Sequence, residues 1–366
     1  MRDVIYIVKS QLHIYPPCVT QIRLLNSAGV RVQVLFGSCS DVVTSIFQKE
    51  KIEYKELADP RRKFKGALDK INNYIVFRRC LKRELKDRNL SNTILWFGNA
   101  ETLLSMKGAL PKCDYAVSFL ELLDDRPLRM KLLKSLAKHS LFNISCEETR
   151  AYIMKAWWKL DKLPYVMPNK PFDNPADLST ANNPDAQKIL AKLDNKKIIL
   201  YQGLIKDKDI LKNFVNAIES LGEDYILLLM GADREHIVPE LQKISNKVYS
   251  GWVTAPYHLQ VTSKAFAGVV FYDGDYCLNN AYCAPNKIYE YGAFGIPMIA
   301  NLIPGLKNTV GACGAAYCCD LSVESIIDGI NYVSDNYAEM SKSAVAFYND
   351  TEMDKIMGRI IANHIA

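Results

Sequence analysis

The run Ala284-Pro285-Asn286-Lys287-Ile288-Tyr289-Glu290-Tyr291-Gly292-Ala293-Phe294-Gly295-Ile296-Pro297-Met298-Ile299 carries the end signals of a short helix that feeds a strand. Pro285 suits the first helical position, where its missing N–H costs nothing. Gly295 suits the left-handed residue past the helix end, and Pro297 blocks continuation. These signals predict a helix of about ten residues followed by a strand over 297–301. Gly292 and Ala293 are expected to let this helix approach a sheet closely. Asn286, Glu290 and Phe294 fall at i, i+4 and i+8, with Lys287 one step from the line, so a carboxylate and an ammonium meet near a helix start. A carboxylate there can accept two ribose hydroxyls, and free N–H groups with a lysine can hold a diphosphate. The alternative is an ordinary amphipathic helix with a surface Lys–Glu pair.

The pattern P-N-K-x-Y-E-Y-x-A-x-G-I-P over 285–297 resembles the donor-site signature of GT-B glycosyltransferases, in particular the retaining family 4. The resemblance implies that Glu290 binds the ribose of a sugar nucleotide and that the segment Pro285, Asn286, Lys287 faces its diphosphate. The family pattern has a second Glu eight residues upstream, a position held here by Tyr282, and that residue normally touches the donor sugar. Three further runs extend the likeness: Ile199-Leu200-Tyr201-Gln202-Gly203-Leu204, Tyr249-Ser250-Gly251-Trp252-Val253 and Ala267-Gly268-Val269-Val270-Phe271-Tyr272. They resemble the opening strand and Gly turn, the base-contacting strand end with Trp252 and Val253, and the strand feeding the donor loop. Relatives carry Arg after the glycine matching Gly203, whereas this chain has Leu204. The phosphate-neutralising charge must then come from Lys206, Lys208 or Lys287.

A chain of 366 residues exceeds what one core usually serves, so two domains are expected. With 49% hydrophobic and 23% charged residues the composition is that of a soluble globular protein. No run reaches the roughly 18 apolar residues of a membrane span, and the N-terminus does not read as a signal peptide. Ten cysteines without C-x-x-C spacing fit neither a disulfide nor a zinc framework, and a reducing cytoplasm is the expected compartment.

Apolar runs alternate with helical patterns. In the first half strands are expected over 4–8, 31–36, 52–57, 93–97, 115–119, 141–145 and 165–167. A second alternation follows the Pro-rich linker 168–185, with strands over 197–201, 225–230, 248–250 and 268–272. Alternation of this kind argues for parallel sheets covered by helices. The fold class expected is therefore α/β of the GT-B type, two Rossmann-like domains facing a cleft. The acceptor domain is placed at 1–170, with 345–366 packed back on it as the resemblance implies. The donor domain is placed at 171–344.

In glycosyl transfer the leaving phosphate gains charge while the sugar carbon becomes cationic, so fixed dipoles and cations are the useful groups. No metal or cofactor is required beyond the nucleotide-diphosphate sugar itself. The resemblance implies retention of configuration, with the leaving phosphate able to receive the acceptor's proton. If a base is used, Glu121 and Asp124, after the strand at 115–119, and His13, after the first strand, are the candidates. Asp124 and Asp125 can equally cap the helix that follows. Few histidines fall at positions expected in the cleft, which argues against a proton-shuttling isomerase such as a 2-epimerase. A binding protein without turnover is the third reading.

The net charge of +6 is concentrated between Arg61 and Arg88, where eleven basic residues face three acidic ones. Interleaved with Phe64, Leu68, Ile71, Ile75, Phe77 and Leu81, this stretch suits a peripheral contact with anionic lipid at the inner face of a membrane, the alternative being a plain solvated helix face. No nucleic-acid motif accompanies it. The expected partners are a nucleotide sugar and a glycan or lipid-linked acceptor.

Overall fold

A computed structural model describes residues 1–57, 67–180, 183–193 and 196–366. The chain divides into two compact units, Met1–Phe172 with Glu352–Ala366, and Asp173–Thr351. Of the segment 345–366, only the part from Glu352 onward belongs to the first unit.

The first unit is built on seven strands: β1 (Asp3–Gln11), β2 (Val32–Ser38), β3 (Glu53–Glu56), β4 (Thr93–Phe97), β5 (Tyr115–Phe119), β6 (Phe142–Ser145) and β7 (Tyr165–Val166). They lie in the order β3-β2-β1-β4-β5-β6-β7, and every pairing is parallel. β4, β5 and β6 are buried along their whole length, because helices cover both faces of the sheet. Alternate residues therefore serve two cores. Val4, Tyr6 and Val8 join Ile94 and Trp96 on one face, while Ile5 and Ile7 join Leu95 and Phe97 on the other. β3 reads Glu-Tyr-Lys-Glu and is mostly exposed, which suits an edge strand that must not recruit another chain. The final helix, Met353–His364, docks here because Met353, Met357, Ile360, Ile361 and Ile365 enter the first of these cores.

The second unit holds six strands: β8 (Lys197–Gln202), β9 (Tyr225–Met230), β10 (Val248–Gly251), β11 (Ala267–Val270), β12 (Met298–Asn301) and β13 (Ala316–Cys319). Their order, β10-β9-β8-β11-β12-β13, is again all parallel. Both sheets thus reverse direction of growth once, between β1 and β4 and between β8 and β11. In open parallel sheets ligands sit outside the strand carboxyl ends at such a reversal.

Several expectations are corrected in detail. The helix of the opening stretch spans seven residues, Lys287–Ala293, with Asn286 at its N-cap, so Pro285 lies before the helix and not at its first position. Gly295 does take the left-handed conformation, at φ +63°. Gly292 does not face the sheet: a Cβ there would lie 3.0 Å from the Ala344 carbonyl oxygen of the helix Tyr337–Asp350. Close approach to the sheet is provided instead by Gly268 of β11, where a Cβ would lie 2.5 Å from the ring of Tyr291. The stretch expected to be a bare linker contains the short helix Pro175–Leu178, and a second helix, Pro184–Leu190, begins at its end.

The basic stretch is only partly free for a surface role. Residues 61–66, including Arg61, Arg62, Lys63, Phe64 and Lys65, lie outside the described residues. In the helix Ala67–Leu85, Phe77 and Leu81 are core residues and do not face outward. Arg78 donates to the carbonyl oxygens of Ser105 and Lys107, and Arg88 is held by Glu84 and Gln33. Arg79, Lys82, Arg83 and Lys86 remain exposed, and Ile75 with them. Among the described residues no helix is long and apolar enough to cross a membrane.

Candidate active site

The reversal point of the second sheet gathers Gln202 and Gly203 at the end of β8, Tyr272 beyond β11, and the helix Lys287–Ala293. The helix is fixed to the sheet by the buried Tyr291, whose hydroxyl donates to the Leu200 carbonyl oxygen at 3.1 Å. Lys287 and Glu290, three residues apart, then share the face turned to the strand ends.

Glu290 is oriented by two neighbours acting on one oxygen. Gln202 Nε2 donates to Oε2, and His258 Nε2 lies 3.4 Å from the same atom. The Gln202 amide is held in this sense because Thr262 Oγ1 donates to its Oε1 at 2.8 Å. Oε1 of Glu290 has no hydrogen-bond partner among the described residues, and the side chain is 19% exposed. Burial opposes ionisation, but the charge and hydrogen bond of His258, the bond from Gln202 and the charge of Lys287 outweigh it, holding the carboxyl below its usual value.

Lys287 makes no ion pair among the described residues; its Nζ lies 4.7 Å from the Tyr201 ring centroid and 5.8 Å from that of Tyr272. Lys206 Nζ approaches the same Tyr272 ring at 5.7 Å and pairs with Asp207 at 3.4 Å. Burial lowers the Lys287 ammonium to about 8, against the raising influence of Glu290 and Cys283, with Lys206 adding to the fall. Gly203 turns beneath this lysine at φ +123°, and a Cβ there would lie 3.5 Å from Nζ. The crowding is greater still across the strand gap: a Cβ on Gly231 would lie 1.6 Å from the Gly203 carbonyl oxygen, so this turn admits only glycine at both places. The result is a buried ammonium over a glycine turn, beside a carboxylate with one open oxygen.

Gly203, Lys206, Lys287 and Glu290 are thus brought together, with Asn286 and Pro285 leading into the helix. Lys208 is not part of the group, because its ammonium is taken by Glu240 at the surface. Val253 is a core residue, and Trp252, 61% exposed, borders a cavity of about 390 Å³ with Lys188, Lys192 and Tyr249. His13, Glu121 and Asp124 belong to the first unit. The N-cap of the next helix is Arg126, without a side-chain bond of its own, and Asp125 pairs with Arg126 at 3.3 Å.

Gln202, His258 and Thr262 were not singled out by sequence reasoning. The available signal was the i, i+4 spacing of His258 and Thr262, one helical turn that faces both side chains the same way. Few histidines were expected near the site, and His258 is one that sequence reasoning did not place there.

No family model matches the sequence, and no curated protein matches it. Solved structures do. A glycosyltransferase from Rickettsia africae ESF-5 superposes with a TM-score of 0.68 at 14% identity, covering 99% of this chain and 97% of its own. Anabaena HepE in complex with UDP-glucose superposes at 0.73 and 11% identity, covering 98% of each chain. A Listeria monocytogenes chain assigned as a UDP-N-acetylglucosamine 2-epimerase superposes at 0.66 and 10% identity, covering 99% of this chain and 95% of its own. At such identities the likeness shows the fold, which is GT-B.

Proposed function

We propose that this chain is a glycosyltransferase that takes a sugar from a nucleoside-diphosphate donor, of the UDP type, and delivers it to a glycan or lipid-linked acceptor. The observation that carries the reading is Glu290, whose Oε2 is fixed by Gln202 and His258 while Oε1 stays open beside the unpaired Lys287. Ribose hydroxyls would bond the carboxylate, and the diphosphate would lie over Gly203 against Lys287 and Lys206. The same fold binds UDP-glucose in HepE, which supports this class of donor.

In the transfer step the bond between the sugar anomeric carbon and the phosphate oxygen breaks, and its electron pair leaves with the nucleoside diphosphate. The acceptor hydroxyl bonds the same carbon, and its proton passes to the leaving phosphate if configuration is retained. Lys287 and Lys206 stabilise the charge that grows on that phosphate. Retention, a metal-free site and a role in polysaccharide or glycoconjugate synthesis belong to this proposal.

Calorimetric titration tests the donor site. UDP should bind the wild type far more tightly than its 2′,3′-dideoxy analogue, and Glu290→Ala should bind both alike. Two charge-assisted bonds at about 1.5–3 kcal/mol each imply a loss of roughly a hundred- to ten-thousandfold in UDP affinity. Equal affinity for UDP in mutant and wild type would remove the site from this helix. Product analysis with radiolabelled UDP-glucose then separates transfer from isomerisation and from binding without turnover.

A further inference from the structure

The Lys287 ammonium is held by aromatic rings, and each of those rings is itself fixed. Tyr272 lies just beyond β11, beside the end of β12, and Asn301 of β12 grips its main chain at two atoms. Asn301 Oδ1 accepts from the Tyr272 N–H at 3.2 Å, and Nδ2 donates to the Tyr272 carbonyl oxygen at 2.8 Å. The Tyr272 ring so placed has Lys287 Nζ 5.8 Å and Lys206 Nζ 5.7 Å from its centroid, so one ring serves two ammoniums. Tyr201 is closer to Lys287, at 4.7 Å. Its ring stacks on Phe271 with centroids 5.0 Å apart, and its hydroxyl donates to the Leu204 carbonyl oxygen at 2.8 Å.

The charges around Lys287 show why rings are useful there. Burial opposes its protonation most, and Lys206 adds to that; Glu290 of the same helix and Cys283 of the preceding loop act the other way. Lys206 is paired with Asp207, and Glu290 is engaged by Gln202 and His258. No carboxylate among the described residues reaches Lys287 as an ion pair. A buried ammonium without a counter-ion has lost its hydration and is driven to shed its proton. A carboxylate partner would prevent this, but a phosphate would then have to displace it. The negative face of an aromatic ring attracts the charge and leaves the N–H donors for a ligand.

We propose that Tyr272 is a positioning residue for the donor: anchored by Asn301, its ring acts with that of Tyr201 to keep Lys287 charged and unpaired until a diphosphate arrives. The part played in donor binding rests on the transfer reading above; the effect on the lysine does not.

The full chain, labelled with carbon-13 at the lysine Cε, is titrated by NMR, with the Lys287 signal identified by its loss in Lys287→Met. The wild-type midpoint is expected at about 8, and Tyr272→Phe, which keeps the ring, should leave it there. Tyr272→Leu and Tyr272→Gln remove the ring from a half-buried position and should lower the midpoint to about 7. UDP affinity should follow the charge. Both variants should bind about fivefold more weakly than wild type at pH 8 and match it at pH 6, where the lysine is protonated in every form. A side chain with only a packing role would leave the midpoint in place and cost the same affinity at both pH values. An unmoved midpoint in the Leu and Gln variants, a Phe variant that falls with them, or an affinity gap that persists at pH 6 overturns the inference. Absence of UDP binding in the wild type, with the midpoints as expected, would instead strike the donor reading and leave the action of the ring on Lys287 standing.

Discussion

Lys287 carries its charge at the margin of what burial permits, with an ammonium lowered from 10.5 to about 8. Only the protonated form attracts a diphosphate, so UDP affinity should hold below pH 8 and fall as pH rises through it, approaching about tenfold per unit. Bound phosphate restores the ammonium, and binding near pH 8 should therefore take up a proton, read as a buffer-dependent calorimetric enthalpy. Lys287→Met should abolish both effects. The linkage to stability has the same origin: between about 8 and 10.5 the unfolded chain holds the proton that the folded chain has lost, so this residue makes stability rise with pH in that window. A wild-type affinity flat across pH 8 would show that Lys287 does not touch the phosphate.

The helix Lys287–Ala293 positions the site through one tight contact with its sheet. Gly268→Ala would set a methyl 2.5 Å from the ring of the fully buried Tyr291, and overpacking of this kind costs about 1–3 kcal/mol. The strain is relieved most directly by moving the helix that bears Glu290, so UDP affinity should fall along with Tm. Gly358→Ala is the control: it lies in the final helix with nothing within 4 Å of its Cβ, and should be neutral or stabilising by about 0.5–1 kcal/mol. Matching effects of the two substitutions would refute the packing account. The helix Ala67–Leu85 carries the membrane proposal in a reduced form. Charge reversal at Arg79, Lys82 and Arg83 should release the protein from anionic vesicles at low salt, since exposed charges are screened beyond about 10 Å at 0.1 M. Arg78 is excluded from that set because it ties the helix to Ser105 and Lys107.

At the scale of the molecule, the first unit is completed by residues distant in sequence. Five side chains of the final helix region, Met353, Met357, Ile360, Ile361 and Ile365, are buried in its core. At about 1.5–3 kcal/mol each they rival the roughly 5–15 kcal/mol that holds a whole domain folded. Deleting 352–366 should consequently unfold or strongly destabilise the first unit, seen as loss of one calorimetric unfolding transition. The Glu290 site is built wholly from the second unit, and UDP binding should survive the deletion. Loss of both together would contradict that division.

Local patterns were sufficient for most of the architecture. Fully buried parallel strands such as β4, β5 and β9 are written as nearly continuous apolar runs, and the expected bounds 93–97, 115–119 and 225–230 coincide with those observed. The placement of Lys287 and Glu290 on one face was legible because both lie on one helix, where spacing alone sets the face. What spacing within one segment cannot express was left to the tertiary structure. Gln202, His258 and Glu290 converge from a strand end, a loop and a helix, 88 and 32 residues apart along the chain from the carboxylate they hold. Lys208 reads as a phosphate ligand in sequence and is claimed by Glu240, 32 residues away. Phe77 and Leu81 read as a lipid-facing stripe until a second face of the sheet, assembled from β1, β4 and β5, takes them into its core. Sequence determined which side chains share a face; only the folded chain decided what each face meets, because that depends on strand order and on partners brought together by long-range packing.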